Sequence, residues 1–458
     1  MKLLLIEAIN LRCKIGRSFV SFGIGYIAAY LKKHIPSLEI RVINHNIAEA
    51  LSSFKPDIVG ISSVTQNYGI AKDIARMCKN ESYLVVMGGR HITALPKSLD
   101  SYMDAGVIGE GEETMLEIVN LIEKDGFDKE KLRNINGIVY RDSDGLVNLT
   151  PCRQLFPILD EIPYPNRDLL GFDNRTTMIT SRGCPYKCIF CSSTRMWPNV
   201  RYFSAKYVIG EIKLLYEKYN SHYINIWDDL FIADKPRLKE IIALLRQEGL
   251  LGKIEFYLYV RANLINEEMA RLLKEMNVAI ATMGLESMSE PVLHYLKANV
   301  LVEQNEEAVK ILNSFGIKAN GGFIVGSPQE TEDDILRTLN FVKGKRLHNV
   351  AAYLLTPLPG TPVWEYAKIK GLVSDEMDWN KLDINFKGNL KDSIILSERL
   401  SRERLGYYLK LFQKESRKKE TASMIKRLYS MIIDILLNPG KIKAFSNLCH
   451  VIYLRLRP

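Results

Sequence analysis

Cys184, Cys188 and Cys191 stand in the run Ser181-Arg182-Gly183-Cys184-Pro185-Tyr186-Lys187-Cys188-Ile189-Phe190-Cys191, a C-x3-C-x2-C spacing. Cys thiolates hold cuboidal iron–sulfur clusters, normally four to a cluster. Three local thiolates leave one iron of a four-iron cluster without a protein ligand and open to a small molecule. That arrangement suits chemistry better than simple electron relay. Structural zinc is the competing use of such cysteines, but it takes four closed ligands, usually as two separated pairs. The nearest other candidates, Cys152 and His222, are isolated and lack that pairing.

The elements around the thiols read as alternating strands and helices. From residue 176, strands are expected at 177–180, 223–227, 254–260, 280–285, 319–325 and 350–355. Helices are expected between them, at 206–218, 235–247, 267–276, 302–315 and 332–344. Repeated parallel units suggest a full or partial (β/α) barrel whose site lies at the strand C-termini. The cysteine loop follows the first of these strands. Ahead of it, residues 1–125 alternate strands at 2–7, 39–44, 58–63, 83–87 and 107–108 with helices at 22–33, 68–78 and 114–123. Such alternation implies a parallel, doubly wound (Rossmann-like) sheet, with ligands beyond the carboxyl ends of its strands. Ser62-Ser63 and Gly88-Gly89-Arg90-His91 lie there. Residues 135–150 read as a hairpin, and prolines punctuate 151–166 as a linker. The expected organisation is therefore an α/β domain over 1–125, hairpin and linker over 126–174, a partial (β/α)6 TIM-like barrel over 175–385, and a basic, mainly helical C-terminal region over 386–458.

A chain of 458 residues, 47% hydrophobic and 25% charged, has the composition of an ordinary globular protein of a few domains. The remaining cysteines, Cys13, Cys78, Cys152 and Cys449, are scattered singly, which is no disulfide framework and fits a reducing, cytoplasmic compartment. The start, Met1-Lys2-Leu3-Leu4-Leu5-Ile6-Glu7, reads as a first strand and not as a signal peptide. No apolar run reaches the length of about 18 to 20 residues that spans a bilayer. Residues 401–458 hold 13 Lys and Arg against 4 Asp and Glu, which accounts for the whole net charge of +9. The neutral remainder argues against a general nucleic-acid-binding surface. In the tail, 405–419 and 424–437 interleave basic and apolar residues, which suits an interfacial helix on an anionic membrane and would point to a lipid or other hydrophobic substrate. A solvated face on a packed helix is the other use of such a segment.

With these residues in place, the chain resembles the radical S-adenosylmethionine (radical SAM) family, in the branch that carries an N-terminal cobalamin-binding-type domain. The resemblance covers about residues 1–385 and implies the cofactors and their ligands. Cys184, Cys188 and Cys191 would hold three irons of a 4Fe–4S cluster, and S-adenosylmethionine would chelate the fourth. One electron would cleave it to methionine and a 5′-deoxyadenosyl radical, which takes hydrogen from an unactivated carbon. Phe190 would lie near the adenine or the cluster. Asp228 and Asp229, in Ile224-Asn225-Ile226-Trp227-Asp228-Asp229, resemble the segment that holds the methionine amino group; a helix cap is the alternative role of such a pair. Arg261 would pair with the methionine carboxylate, or else form a surface ion pair. Glu286 and Ser287, in Gly284-Leu285-Glu286-Ser287, would bind ribose hydroxyls or the amino-acid moiety. Gly326, in Gly322-Phe323-Ile324-Val325-Gly326-Ser327-Pro328, would admit the adenine or ribose to the backbone, and Thr356 to Pro362 resembles the sixth-strand end.

In the first domain the resemblance assigns cobalamin contacts to Ser62, Ser63, Gly88, Gly89, His91, Gly109 and Glu110. It also shows a departure. Many cobalamin domains carry D-x-H-x-x-G after the first strand, whose histidine binds cobalt. Here that loop reads Glu7-Ala8-Ile9-Asn10-Leu11-Arg12, and His34, His45 and His91 do not fit the motif. Members of the branch without the motif still bind cobalamin. The implied reaction is cobalamin-dependent C-methylation, with a reductase, flavodoxin or ferredoxin as electron donor. Radical cyclisation, oxidation or carbon–carbon coupling of a hydrophobic or lipid substrate is the alternative on the same scaffold. An iron–sulfur electron-transfer or sensor protein is the alternative from another class, and it would leave the later strand-end elements unused.

Overall fold

The computed structural model describes residues 1–10, 22–170, 176–344, 346–382 and 390–437, with side chains to residue 425. Two parallel sheets organise it. The first contains β1 (Lys2–Glu7), β2 (Glu39–Ile43), β3 (Ile58–Ser62), β4 (Leu84–Gly88), β5 (Ala105–Val107), β6 (Ile138–Arg141) and β7 (Val147–Leu149), in the order β2-β1-β3-β4-β5-β6-β7. β1 to β5 are parallel, as the doubly wound reading requires. Leu3, Leu4, Leu5 and Ile6 are all buried, because helices cover both faces of the sheet. Phe22–His34 and Glu112–Asp125 pack with Leu3 and Leu5 on one face, and Ile47–Phe54 and Tyr68–Asn80 pack with Leu4 and Ile6 on the other. The hairpin expected at 135–150 forms, and it adds β6 and β7 antiparallel to β5, pairing Ala105 with Tyr140 and Val139 with Leu149. Ile138 and Val139 are fully buried, and that burial draws the hairpin onto the sheet. The first sheet therefore extends past residue 125 to Leu149.

The second sheet is built from β8 (Thr177–Met178), then, after a small ribbon of β9 (Ser181–Arg182) and β10 (Arg201–Tyr202), from β11 (Tyr223–Ile226), β12 (Glu255–Val260), β13 (Val278–Glu286), β14 (Lys318–Val325) and β15 (Asn349–Leu354). Its six strands run parallel in the order β15-β14-β13-β12-β11-β8. This is the partial barrel. Five of its helices begin where side chains cap them: Ser204, Asp234, Asn266, Thr331 and Thr361 each accept a first-turn N–H.

The tail differs from expectation as well. One helix, Arg402–Leu437, replaces the two expected segments. Leu405, Tyr408, Leu409 and Phe412 are buried against the barrel, Phe412 beside Phe323 at 6.1 Å. Lys419 donates to Gly344 O and Leu347 O. The apolar stripe at 405–412 thus covers the barrel edge and is not offered to a lipid surface. Among the described residues no helix is long and apolar enough to cross a membrane. Residues 438–458, including the mixed basic and apolar segment 451–457, lie outside the described residues.

Candidate active site

The cysteine loop springs from the β9–β10 ribbon, where Arg182 faces Arg201 and Ser181 faces Tyr202. Gly183 leaves the ribbon at φ +91°, and a Cβ there would lie 2.9 Å from Asn199 O. Only glycine lets the outgoing and returning chains cross this closely. Cys184, Cys188 and Cys191 are free and half-buried. Burial pushes the Cys184 thiol up to about 11, and burial with the charge of Asp229 also raises Cys191. Arg261, at the end of β12, supplies a fixed cation: its Nη1 donates to Cys188 Sγ at 3.4 Å while its guanidinium lies 3.8 Å from the Tyr186 ring centroid. Three thiols beside a permanent cation fit an iron–sulfur cluster. Among the described residues no group of three His, Cys, Asp and Glu side chains could hold a single metal ion. Cluster cysteines each meet a different iron and need not converge on one point.

The strand-end residues divide sharply. Asp229 stays at the loop, accepting from Ser193 Oγ at 2.9 Å. Asp228 does not face it. Fully buried, it accepts from Thr180 N and Oγ1 (2.5 and 2.6 Å) and from Ser181 N and Oγ (3.2 and 2.7 Å). Burial raises its pKa against those four hydrogen bonds. Asp228 is thus a brace for the chain entering the loop, which corrects its expected role on the methionine amino group. Glu286 ends β13 in the left-handed region, φ +58°, buried beside Lys297 at 3.3 Å. A non-glycine residue held there stores strain, a mark of functional sites. Its neighbour Ser287 is fully buried, with its hydroxyl bonded to Thr338 Oγ1 and Ser289 N. Gly326 N and Ser327 N both donate to Glu330, whose carboxyl burial pushes up to about 7. Gly326 closes a tight turn there. Phe190 is half-buried, packed into the core shared with the first domain.

In the first domain the polar residues turn inward. Ser63 Oγ donates to Val64 O at 2.7 Å and Ser63 N to Gly88 O at 3.2 Å. Ser62 Oγ and the Ser63 backbone crowd Gly89, where at φ +96° a Cβ would lie 2.5 Å from Ser63 O. His91 corrects its expected place at a cofactor. It has no exposed surface, stacks on Tyr68 at 3.8 Å, meets Trp379 edge-on at 4.5 Å, and shares a hydrogen bond of 3.0 Å with Ser98 Oγ. Burial, aided by Lys72, lowers its pKa to about 3. Glu110 is also misplaced as a cofactor contact: it is buried in ion pairs with Arg182 and Arg201. Of the glycines expected at the cofactor, Gly109 presents open backbone, at φ +80° with nothing within 4 Å of a Cβ, and Gly88 is only slightly crowded. An open backbone shelf at the strand ends fits the approach of a broad, flat cofactor. The loop after β1 passes into residues 11–21, outside the described residues.

Glu112, Arg182, Arg201, Lys297 and Glu330 complete the site and went unassigned in the sequence. Arg182 had a signal, lying two residues before Cys184. Glu112 and Arg201 had none, because their partners lie 70 and 91 positions away in the chain.

Residues 178–342 match the radical SAM superfamily and residues 11–119 the B12 binding domain. An uncharacterized methyltransferase of Pyrococcus horikoshii is 33% identical over 417 residues, spanning 86% of this chain and 89% of the relative. The anaerobic magnesium-protoporphyrin IX monomethyl ester cyclase of Rubrivivax gelatinosus is 27% identical over 407 residues, 82% of this chain and 72% of that one. The structure of the radical S-adenosylmethionine methyltransferase TsrM from Kitasatospora setae, with cobalamin and a 4Fe–4S cluster bound, shares the fold with a TM-score of 0.66 at 18% identity, over 81% of this chain and 75% of that one.

Proposed function

We propose that this chain, which belongs to the radical SAM superfamily and carries a B12-binding domain ahead of its barrel, is an enzyme that methylates an unactivated carbon of a small-molecule substrate. Its cofactors are a 4Fe–4S cluster, S-adenosylmethionine and cobalamin. When bound, they supply a one-electron cleavage that yields a hydrogen-abstracting radical, and a transferable methyl group. The protein supplies position and exclusion of side reactions. Cys184, Cys188 and Cys191 hold the cluster. Arg261, Asp229 and the Glu286–Lys297 pair offer charges of both signs to a ligand carrying an ammonium and a carboxylate. The backbone at Gly88 and Gly109 receives the cobalamin. A flavodoxin- or ferredoxin-type protein delivers the electron.

One observation carries this reading. The helix Arg90–Ala94, which begins immediately after Gly89, packs against the helix Ser193–Met196, which begins two residues after Cys191. The ligand-binding ends of the two sheets therefore adjoin, as a methyl carrier and a radical source must. The test is anaerobic reconstitution with S-adenosylmethionine carrying a labelled methyl group. The wild type should form 5′-deoxyadenosine and Cys188→Ala should not; full activity in that variant would sink the proposal. The Rubrivivax cyclase relative favours a second reading, radical ring closure without methylation. Label in the product separates the two.

A further inference from the structure

We propose that Glu110, a residue of the first domain, is a positioning residue for the cluster: its one carboxylate fixes both feet of the cysteine loop. The inference rests on the reading of that loop as the cluster's holder. Glu110 Oε1 accepts from Arg182 Nη1 at 2.7 Å and from Arg201 Nη2 at 2.8 Å. Oε2 accepts from Arg201 Nη1 at 3.0 Å and from Phe156 N at 3.2 Å. Glu112 Oε1 takes the remaining side of Arg182 at 2.6 Å. Burial opposes the charge on Glu110, and the hydrogen bonds and charges of Arg201 and Arg182 overcome it, holding its pKa below the usual carboxylate range.

The two arginines face each other across the β9–β10 ribbon, so everything between them is the cysteine loop. A ribbon of two residues a side does not hold itself together in water. Two guanidiniums placed opposite each other add repulsion. A shared carboxylate removes the repulsion and turns it into a clamp. The ring of Tyr26, from the first-domain helix Phe22–His34, lies 5.3 Å from the Arg182 guanidinium and closes its other side. Asp228 anchors the chain to the barrel only up to Ser181. Arg182 and Arg201, the two feet of the loop, are anchored by the first domain, whereas Arg261 at Cys188 and Asp229 at Ser193 hold its middle from the barrel. Glu110 follows Gly109, the open shelf of that domain, and Arg182 stands two residues before Cys184. The clamp therefore ties the frame of one cofactor to that of the other.

Full-length Glu110→Gln and Glu110→Asp would be reconstituted anaerobically and compared with wild type. The readouts are iron retained after gel filtration, the EPR spectrum of the dithionite-reduced cluster with and without S-adenosylmethionine, and circular dichroism. Glu110→Gln should keep the fold, bind the cluster at least about tenfold less tightly, as loss of outer-shell partners does, and shift or broaden the EPR signal. Glu110→Asp should recover part of the wild-type spectrum. Glu117→Gln, which breaks the more exposed pair with Arg153 on the helix that follows, should change nothing. If Glu110→Gln does not fold, Arg201→Gln removes one foot and should shift the same signal less. Wild-type iron retention and spectrum in the folded variant would overturn the inference. A wild type without any four-iron signal would overturn the proposed function instead.

Discussion

At the carboxyl ends of β3 to β5, side chains that the sequence places beside a ligand are turned into the protein. Ser63 is spent on backbone, His91 is stacked in the core, and Glu110 reaches across to Arg182. At the ends of β8 to β13 the thiols, Arg261 and Asp229 remain gathered around one loop. On the proposed function, the first surface would meet its ligand with backbone and shape, the second with charged and ligating side chains. A large, flat cofactor needs area and close approach, whereas a metal cluster needs specific donor atoms. Mutations at the two surfaces should fail in different ways.

The largest effect is expected at the second surface. Cys191→Ala removes one of three ligands and should abolish four-iron incorporation and 5′-deoxyadenosine formation, measured by iron assay and product chromatography, while the apoprotein melts as before. At the first surface the response should be in stability. Gly89→Ala forces a Cβ against Ser63 O at positive φ and should cost about 4 kcal/mol in denaturant unfolding, summing left-handed strain and overpacking. Gly109→Ala should cost only about 1–2 kcal/mol, and its effect should fall on retention of hydroxocobalamin. Retention equal to wild type would break the first half of the comparison.

His91→Ala should open a cavity between Tyr68 and Trp379 and cost about 3 kcal/mol. The absorption spectrum of bound cobalamin should stay the same. A changed spectrum would mean that the ring reaches cobalt. A further effect concerns Glu330, a second-surface residue turned inward. Its carboxyl titrates near 4.5 in the unfolded chain and at about 7 when buried. Folded protein therefore keeps a proton that unfolded chain has lost. The stability it contributes is fully present below 4.5 and is lost as pH rises to about 7, on the order of 3 kcal/mol in all. Glu330→Gln should flatten that slope, read from denaturant midpoints at pH 5 and pH 8.

Much of the fold was legible because its signals are local. Buried runs such as Ile58-Val59-Gly60-Ile61 and the helix Lys235–Gln247 appear where pattern and cap place them. The hairpin 138–149 was visible as a hairpin but not as part of a sheet, because strand pairing depends on the path of the chain. The same limit governed the site. Asp228 and Asp229 are adjacent and chemically identical, yet one braces Thr180 and the other faces Ser193. Successive residues leave a strand on opposite sides, and nothing in the pair says which side holds the ligand.

The sequence by itself determined the metal chemistry, since three thiols within one short loop need no distant partner to declare themselves. The alternation of strands and helices determined where that loop would stand. Only the tertiary structure decided what holds the loop in place. Glu110 lies 72 positions from Arg182, in another domain, and their pairing exists only because folding brings a buried carboxylate between two arginines. A buried charge must find its partner wherever the chain has put it.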